Sequence, residues 1–116
     1  MMTAETSDSR LREFLAGVQA DLVVCGHTHM PFDRVVDGVR IVNPGSVGMP
    51  YGDPGAFWAL LGPGVEFRRT DYDREAAAAR IRRSVWPGAD EFATSNVVSV
   101  PSAEAAIAFF RKAGGP

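Results

Sequence analysis

The sequence predicts an α/β protein in which mainly antiparallel strands are flanked by helices. Three patterns in its 116 residues indicate this class. Residues 11–18 carry the apolar spacing of a helix that lies on another layer. The run Leu22–Cys25 is the unbroken apolar stretch typical of a strand buried on both faces. Asp37-Gly38, between two β-branched runs, is a strong hairpin signal because both turn residues must adopt positive φ.

The first predicted helix begins after Ser7 or Asp8, either of which can accept hydrogen bonds from its free amides. Its apolar residues recur at i, i+3, i+4 and i+7, and they are Leu11, Phe14, Leu15 and Val18. A helix that leads into a buried strand is half of a βαβ unit, whose first strand normally precedes the helix. Only the polar segment 1–10 precedes it here, so we expect the strand at 22–25 to lack that neighbour.

Two hairpins are predicted after this strand. The first joins 34–36 to 39–42 through Asp37-Gly38, and the second joins 57–61 to 65–72 through 62–64. Asn43 follows the first hairpin on its core-facing side, where it can reach a site. Apolar and charged residues alternate in the last of these strands, which predicts that it is half exposed.

Two helices are predicted in the C-terminal half. Asp73 can cap one that runs to about Arg83, with Glu75 near the positive end of its dipole. Residues 85–95 are predicted to be irregular and 97–100 to form a short strand. Ser102 can cap a last helix that ends at Gly114-Gly115. The apolar face of this helix is formed by Ala103, Ala106, Ile107 and Phe110.

The composition excludes several classes of protein. A net charge of −2 argues against a protein that binds nucleic acid by charge. No apolar run approaches the ~20 residues of a membrane span, and residues 1–10 lack the apolar core of a signal peptide. The single cysteine, Cys25, cannot form an internal disulfide, which favours a reducing compartment. We therefore expect one cytoplasmic domain, residues 1–116, with no membrane or nucleic-acid partner.

Both histidines of the chain follow the predicted strand, in Gly26-His27-Thr28-His29. If this segment is extended, His27 and His29 point to the same side, with Cβ atoms roughly 6.5–7 Å apart. Two such imidazoles can bind one metal ion, or one ion each of a pair about 3.5–4 Å apart. The alternative is that both make ordinary structural hydrogen bonds, and the pattern alone leaves both interpretations open.

The second motif is the turn Asn43-Pro44-Gly45-Ser46-Val47-Gly48. Its glycines expose backbone amides of the kind that bind anions, and its serine adds a hydroxyl. We expect Asn43, Gly45 and Ser46 to contribute to a phosphate site, although such a turn alone is more often purely conformational. The nearby carboxylates are expected to serve turns rather than to bind metal, and they are Asp33, Asp37 and Asp53.

Together, these two motifs resemble the C-terminal metal-binding portion of calcineurin-like metallophosphoesterases, in particular a small bacterial group of phosphodiesterases. The resemblance covers about residues 7–84 and leaves 85–116 as an additional C-terminal segment. It implies an αββα sandwich, a centre of two divalent metal ions (Mn, Fe or Zn), and a phosphomonoester or phosphodiester substrate. By this resemblance His27 is a ligand of the second metal and His29 is a ligand of the first.

The family pattern also includes Asp-x-His, Gly-Asp and Gly-Asn-His motifs and a further lone histidine, and none of these precedes Asp21. The resemblance therefore implies that this chain, like the last third or half of such an enzyme, carries only part of the dinuclear site. We expect the 116-residue chain alone to be inactive. We also expect weak metal binding, with Zn²⁺, Ni²⁺ or Cu²⁺ preferred over Mg²⁺ or Mn²⁺.

Two other interpretations compete with a metal-dependent phosphoesterase. A phosphoesterase-like domain can lose catalysis and serve as a scaffold or binding module, but retention of both His27 and His29 beside an anion-binding turn disfavours this. A cupin-type β-barrel would use His27, His29 and Asp33. It needs another histidine downstream, which the sequence lacks.

A strand buried on both faces also implies association. Without neighbours, the free edge and apolar side chains of residues 22–25 would meet water and tend to pair with another chain. We expect self-association, or docking on a second polypeptide that carries the missing half. The alternative is that residues 97–110 fold back over this strand.

Overall fold

The computed structural model describes residues 1–113. In that part of the chain, helices flank two small sheets, so the predicted α/β class is confirmed. The elements in chain order are α1 (Asp8–Leu15), β1 (Leu22–Val24), β2 (Phe32–Val36), β3 (Val39–Asn43), β4 (Ala56–Leu61), β5 (Val65–Thr70), α2 (Arg74–Arg82), α3 (Ala89–Phe92), a π-helix (Ala93–Val98) and α4 (Ala103–Ala113).

Three strands form the first sheet in the order β1-β3-β2. β3 pairs antiparallel with β2 and parallel with β1, so Ile41 lies between Val23 and Arg34. The predicted hairpin turn is confirmed, since Asp37 and Gly38 have φ of 50° and 84°. The parallel neighbour of β1 therefore follows it in the chain instead of preceding α1.

Helix α1 covers one face of this sheet. Ser7 caps the helix by accepting a hydrogen bond from the Arg10 amide. Leu11 is fully buried in a cluster with Phe32, Val36 and Ile41. The helix is shorter than the predicted apolar stripe, because it ends at Leu15 and leaves Val18 outside it. Phe14 and Val18 are 38% and 43% exposed.

The opposite face shows that the prediction of a strand buried on both sides is wrong. Among the described residues β3 is the only strand beside β1, and Leu22 and Val24 are 36% and 47% exposed. The strand register places both on the same side as Val35, which is 65% exposed. The physical reason is that α1 packs on the other side of the sheet. We call Leu22, Val24 and Val35 the open sheet face.

The second sheet is the antiparallel hairpin β4-β5, which turns at residues 62–64 as predicted. Trp58 donates its indole N–H to the Thr70 hydroxyl at 3.0 Å. The prediction that the second strand is half exposed is wrong, because every residue of β5 after Val65 is exposed, including Phe67 at 37%.

The segment after α2 differs from the sequence prediction. Residues 97–100 were predicted as a strand, but Ala93–Val98 is π-helical and Ser99 is the first extended residue. α3 likewise lies within the stretch predicted to be irregular. The π-helix satisfies its own backbone groups, and no strand lies beside it in residues 1–113 to form a ladder. Val97 instead packs against small side chains in a cluster with Ala78 and Ala93.

Both predicted caps of the C-terminal helices are confirmed. Asp73 accepts a hydrogen bond from the Ala76 amide at the start of α2, and Ser102 accepts one from the Ala105 amide at α4. The predicted stop of α4 at 114–115 lies outside the described residues. No helix within residues 1–113 has the length and apolar character needed to cross a bilayer.

Helix α4 packs on the segments that follow β1 and β3. Ala106 and Phe110 are buried against Met30, and Tyr51 joins this cluster. The open sheet face stays exposed, so the expectation that residues 97–110 fold back over β1 is wrong.

Most of the buried apolar residues fall into three separate small clusters, and Val42 and Ala89 lie outside them. The Cα radius of gyration is 16.1 Å. A compact chain of this length would have a radius of about 13 Å. The described chain is therefore more open than a typical domain of its size, which leaves sheet surface accessible.

Candidate metal-binding loop

The histidine loop, Gly26–His29, ends β1 in a strained backbone conformation. His27 and His29 have φ of 72° and 58°, so the prediction of an extended segment is wrong. The Thr28 amide donates to the Gly26 carbonyl at 2.9 Å and closes a tight turn. Left-handed non-glycine residues cost about 1–3 kcal/mol each and persist where surrounding structure holds them, often at functional sites.

Two buried polar side chains hold the loop. Thr28 and Asn43 are both fully buried. The Asn43 Nδ2 donates to the Thr28 hydroxyl at 3.1 Å and to the Gly26 carbonyl at 3.2 Å. The Thr28 hydroxyl donates in turn to the Met2 carbonyl at 3.0 Å. Breaking one of these bonds would leave a buried polar group unpaired, so the Thr28–Asn43 pair fixes the strained turn.

Asn43 also shapes the turn that follows β3. Its Oδ1 accepts a hydrogen bond from the Gly45 amide at 2.9 Å. Gly45 has φ of 94°, and a Cβ there would lie 2.8 Å from the Phe57 Cβ and 2.9 Å from the Pro31 Cγ. Only glycine fits, because both the conformation and the space exclude a side chain. The polar groups of Asn43 and the Gly45 amide are used internally, and their contact with phosphate stays a prediction.

Ser46 retains a free donor. Its hydroxyl oxygen accepts from the Met49 amide at 3.0 Å, and its carbonyl accepts from the Phe57 amide at 3.0 Å. A serine hydroxyl has one proton to donate and two acceptor lone pairs. Ser46 is half-buried, so this proton remains able to reach a ligand oxygen.

His29 is held in one tautomer. Its Nδ1 lies 2.9 Å from the Met49 carbonyl oxygen. Because a carbonyl can only accept, Nδ1 carries the proton and Nε2 keeps its lone pair in the neutral ring. The ring also stacks on Tyr51, with centroids 5.5 Å apart and planes 18° apart. A ring nitrogen fixed in this way by a carbonyl is the usual arrangement behind a metal-binding histidine.

His27 is an exposed residue, whereas His29 is half-buried. Its centroid lies 6.1 Å from that of Phe110, at 56°. Phe110 is also 6.1 Å from Tyr51, in an edge-to-face arrangement. His27 therefore lies beside Phe110 and His29 beside Tyr51, and these two aromatic rings contact each other.

The histidine loop and the turn after β3 both lie within residues 2–62. This segment matches the family model described as the calcineurin-like phosphoesterase superfamily domain, over more than half of the chain. The chain belongs to the calcineurin-like phosphoesterase superfamily. The resemblance drawn from the two motifs is thereby confirmed, and members of this superfamily generally depend on a dinuclear metal centre.

The fold of this phosphoesterase-family chain is also similar to a solved structure. The relative is a hypothetical protein from Pyrococcus horikoshii OT3, with a TM-score of 0.64 and 20% sequence identity. The alignment covers 79% of this chain and 39% of that protein, so our chain spans about two fifths of its length. At this identity the similarity establishes the fold alone. No curated protein matches the chain at a significant level.

The side chains of this phosphoesterase-family chain fit a metal centre only in part. Across residues 1–113, no group of three or more histidine, cysteine, aspartate or glutamate side chains is close enough together to hold an ion. Two imidazoles are the donors present, and His29 Nε2 is the one whose lone pair is fixed by an internal hydrogen bond. Two imidazoles are too few for a closed four-ligand site, so this donor set suits a metal site that also takes ligands from other residues.

The nearby carboxylates are paired with arginines. Asp33 accepts two hydrogen bonds from Arg40 at 2.7 and 3.0 Å, which lower the pKa of Asp33 below its ordinary value. Asp37 accepts two from Arg12, at 2.9 and 3.1 Å, with the same effect on its pKa. Both carboxylates are therefore held by arginine ion pairs, as expected for residues that serve turns rather than bind metal.

Sequence reasoning missed four residues that shape the site, namely Thr28, Met49, Tyr51 and Phe110. Thr28 stood between the histidines as an unassigned position. Met49 acts through a backbone carbonyl, which no residue pattern reveals. A signal did exist for Phe110, because it lies on the predicted apolar face of α4.

Proposed function

We propose that this chain supplies His27 and His29 to the dinuclear centre of a metal-dependent phosphoesterase that hydrolyses phosphomonoesters or phosphodiesters. The observation that carries the proposal is the His29 Nδ1 contact with the Met49 carbonyl, which leaves Nε2 as a ligand. A purely structural histidine does not require the strained loop that presents it. The strain is instead explained if the surrounding fold holds the imidazoles ready for a ligand.

The proposed ligand assignment follows the family pattern, in which His29 binds the first metal ion and His27 binds the second. When bound, Mn, Fe or Zn ions supply Lewis-acid activation of water and neutralise charge on the phosphoryl group. The remaining donors come from outside the described residues. The complete activity therefore belongs to a larger assembly, and the 116-residue chain alone is proposed to be inactive.

Within the predicted phosphate site, Ser46 is the residue proposed to contact a phosphoryl oxygen. Its oxygen is already oriented by the Met49 amide, which leaves its proton free to donate. Asn43 and Gly45 support this position from behind, because their mutual hydrogen bond shapes the turn that carries Ser46. A cytoplasmic location completes the proposal, since the single Cys25 suits a reducing compartment.

Metal titration of the purified chain tests the ligand assignment. Calorimetry with Zn²⁺ is expected to show weak binding that His29→Ala removes and His27→Ala weakens, with no tight binding of Mg²⁺. Asp37→Asn is the matched control, because Asn tolerates the left-handed conformation at this exposed turn. Unchanged Zn²⁺ affinity in both histidine variants would refute the assignment and leave a scaffold function as the better interpretation.

Turnover tests the activity. The chain alone should not hydrolyse bis-p-nitrophenyl phosphate with added Zn²⁺ or Mn²⁺, because two imidazoles without a bridging carboxylate do not hold a metal pair. Turnover that His27→Ala abolishes would show that the chain carries a complete site.

A further inference from the structure

We propose that Tyr51 and Phe110, here called the aromatic pair, are positioning residues that set the orientation of both imidazoles. The inference rests on the proposed metal-binding function. It extends the site to helix α4, which lies beyond the residues 2–62 matched by the family model.

Tyr51 constrains His29 from the ring face. The two rings are nearly parallel, at 18°, with centroids 5.5 Å apart. Met49, two residues earlier in the same loop, constrains the ring edge through Nδ1 at 2.9 Å. One short segment therefore fixes both the plane of the imidazole and the direction in which its Nε2 points. With only the Tyr51 stack, the ring could rotate within its own plane. With only the Met49 hydrogen bond, the plane of the ring could tilt about that bond.

Phe110 connects this arrangement to His27. Its side chain is 8% exposed and packs with Met30, the residue directly after His29, and with Ala106. Its ring lies 6.1 Å from both the His27 and the Tyr51 centroids. The same phenyl group thus limits the movement of His27 and supports the ring that stacks on His29.

This position of α4 relates the two histidines to each other. In the absence of α4, His27 would have no aromatic neighbour among the described residues, and Tyr51 would lose the edge contact that supports it. Partners that orient metal-binding histidines typically change metal affinity by 10–100-fold when removed. The aromatic pair acts in this way, although it makes no hydrogen bond to either ring.

Two substitutions test the proposal, each with a matched control. Tyr51→Leu removes the stacked ring, whereas Tyr51→Phe keeps it. Phe110→Leu removes the shared phenyl group, whereas Phe67→Leu makes the same change in strand β5, where the side chain is 37% exposed. Circular dichroism of each full chain establishes that it remains folded.

The first readout is the ring ¹⁵N spectrum of the metal-free chain, which reports which nitrogen of each histidine carries the proton. Wild-type and Tyr51→Phe chains should show His29 as the Nδ1–H tautomer. Tyr51→Leu should add the Nε2–H tautomer, because the ring can leave the Met49 carbonyl. A residue with a merely structural role would not change this signature.

The second readout is Zn²⁺ affinity, followed by the same ring signals during titration. Tyr51→Leu and Phe110→Leu should each weaken binding by about tenfold, the lower end of the usual range for orienting partners. The two control variants should bind as the wild type does. An unchanged His29 tautomer in Tyr51→Leu would overturn the proposal, whatever the Zn²⁺ affinity of this variant.

The outcomes separate this inference from the proposed function. If the wild-type chain binds no Zn²⁺, the metal-binding function fails, and the spectra of the metal-free chain still decide the positioning role. If Phe110→Leu does not fold, the comparison of Tyr51→Leu with Tyr51→Phe is sufficient to decide the positioning role. An unchanged His29 tautomer in Tyr51→Leu contradicts positioning in either case.

Discussion

The two faces of the three-stranded sheet have opposite environments, although the same strands form both. On the face under α1, Ile41 is 0% exposed and packs with Leu11 of that helix, which is also 0% exposed. The open sheet face carries Val24 and Val35 at 47% and 65% exposure. Alternation along a strand sends neighbouring residues to different faces. The contrast has one exception, because Val42, which pairs with Val24 on the open side, is fully buried.

This difference indicates which face contributes most to the free energy of unfolding and which face is accessible to a partner. The buried Thr28–Asn43 pair adjoins the covered face, because Asn43 pairs with Phe32 of that face and donates to Thr28 in the strained loop. On the side of the open sheet face, the exposed Leu22, Val24 and Val35 lie beside the ion pair between Asp33 and Arg40. We therefore expect substitutions on the two faces to have different consequences, and four experiments can sharpen or break this contrast.

The largest expected effect is on the covered face. Ile41→Ala should reduce the free energy of unfolding by about 2–5 kcal/mol, since it removes a fully buried side chain from the cluster with Leu11. Val35→Ala, on the open sheet face, should change it by less than about 0.5 kcal/mol. Urea unfolding followed by circular dichroism measures both. Similar losses for the two variants would show that the faces do not differ energetically.

The next largest effect is expected at the Thr28–Asn43 pair. Asn43→Ala should reduce the free energy of unfolding by about 2 kcal/mol, because it leaves the Gly45 amide without its acceptor and removes one of the two donors to the Gly26 carbonyl. The His29 ring signals should broaden or shift as the loop relaxes. Asn96→Ala, in the π-helix, is the control and should leave those signals in place. Sharp, unshifted His29 signals in Asn43→Ala would mean that the strained loop is held by other contacts.

The third experiment concerns association through the open sheet face. We propose that the chain self-associates or docks on a second polypeptide through Leu22, Val24 and the free edge of β1, since exposed edges tend to pair. Val24→Lys should reduce association in sedimentation equilibrium with little change in the free energy of unfolding. A wild-type chain that sediments as a monomer and binds no hydrophobic dye would contradict this.

The smallest effect is expected from pH. Hydrogen bonds from Arg40 lower the pKa of Asp33 in the folded chain. The contribution of this pair to stability is therefore present above the unfolded pKa of about 3.9 and is lost as the pH falls through the folded pKa. It should be small, because the Arg40 and Asp33 side chains are 37% and 41% exposed and water screens the pair. The difference in urea midpoint between wild type and Asp33→Asn should shrink from about pH 7 to about pH 3, and a growing difference would reverse the assignment.

Local patterns were enough to predict most helices and strands. Ser7, Asp73 and Ser102 cap their helices as the sequence predicts, because a cap depends on a few adjacent residues. The Asp37-Gly38 turn is local in the same sense. The prediction of a strand at 97–100 was wrong, because the strand preference of β-branched residues depends on packing against a neighbouring strand.

The site was predictable only where it resembles a family motif. The family membership follows from the histidine loop and the turn after β3, as the sequence indicates. The left-handed conformation of His27 and His29 depends on Met2, Asn43 and other distant residues, so the local sequence suggested an extended segment. The roles of His27, His29 and Ser46 stay predictions until metal and phosphate binding are measured.

The hydrogen bond from Thr28 to the Met2 carbonyl has a practical consequence for handling the protein. It brings the first residues of the chain beside the histidine loop. A polyhistidine purification tag fused to Met1 would therefore add imidazoles within reach of His27, and Zn²⁺ or Ni²⁺ bound by the tag would be mistaken for binding by the loop. Protein prepared without such a tag, or with the tag cleaved before titration, avoids a false positive that the fold itself would create.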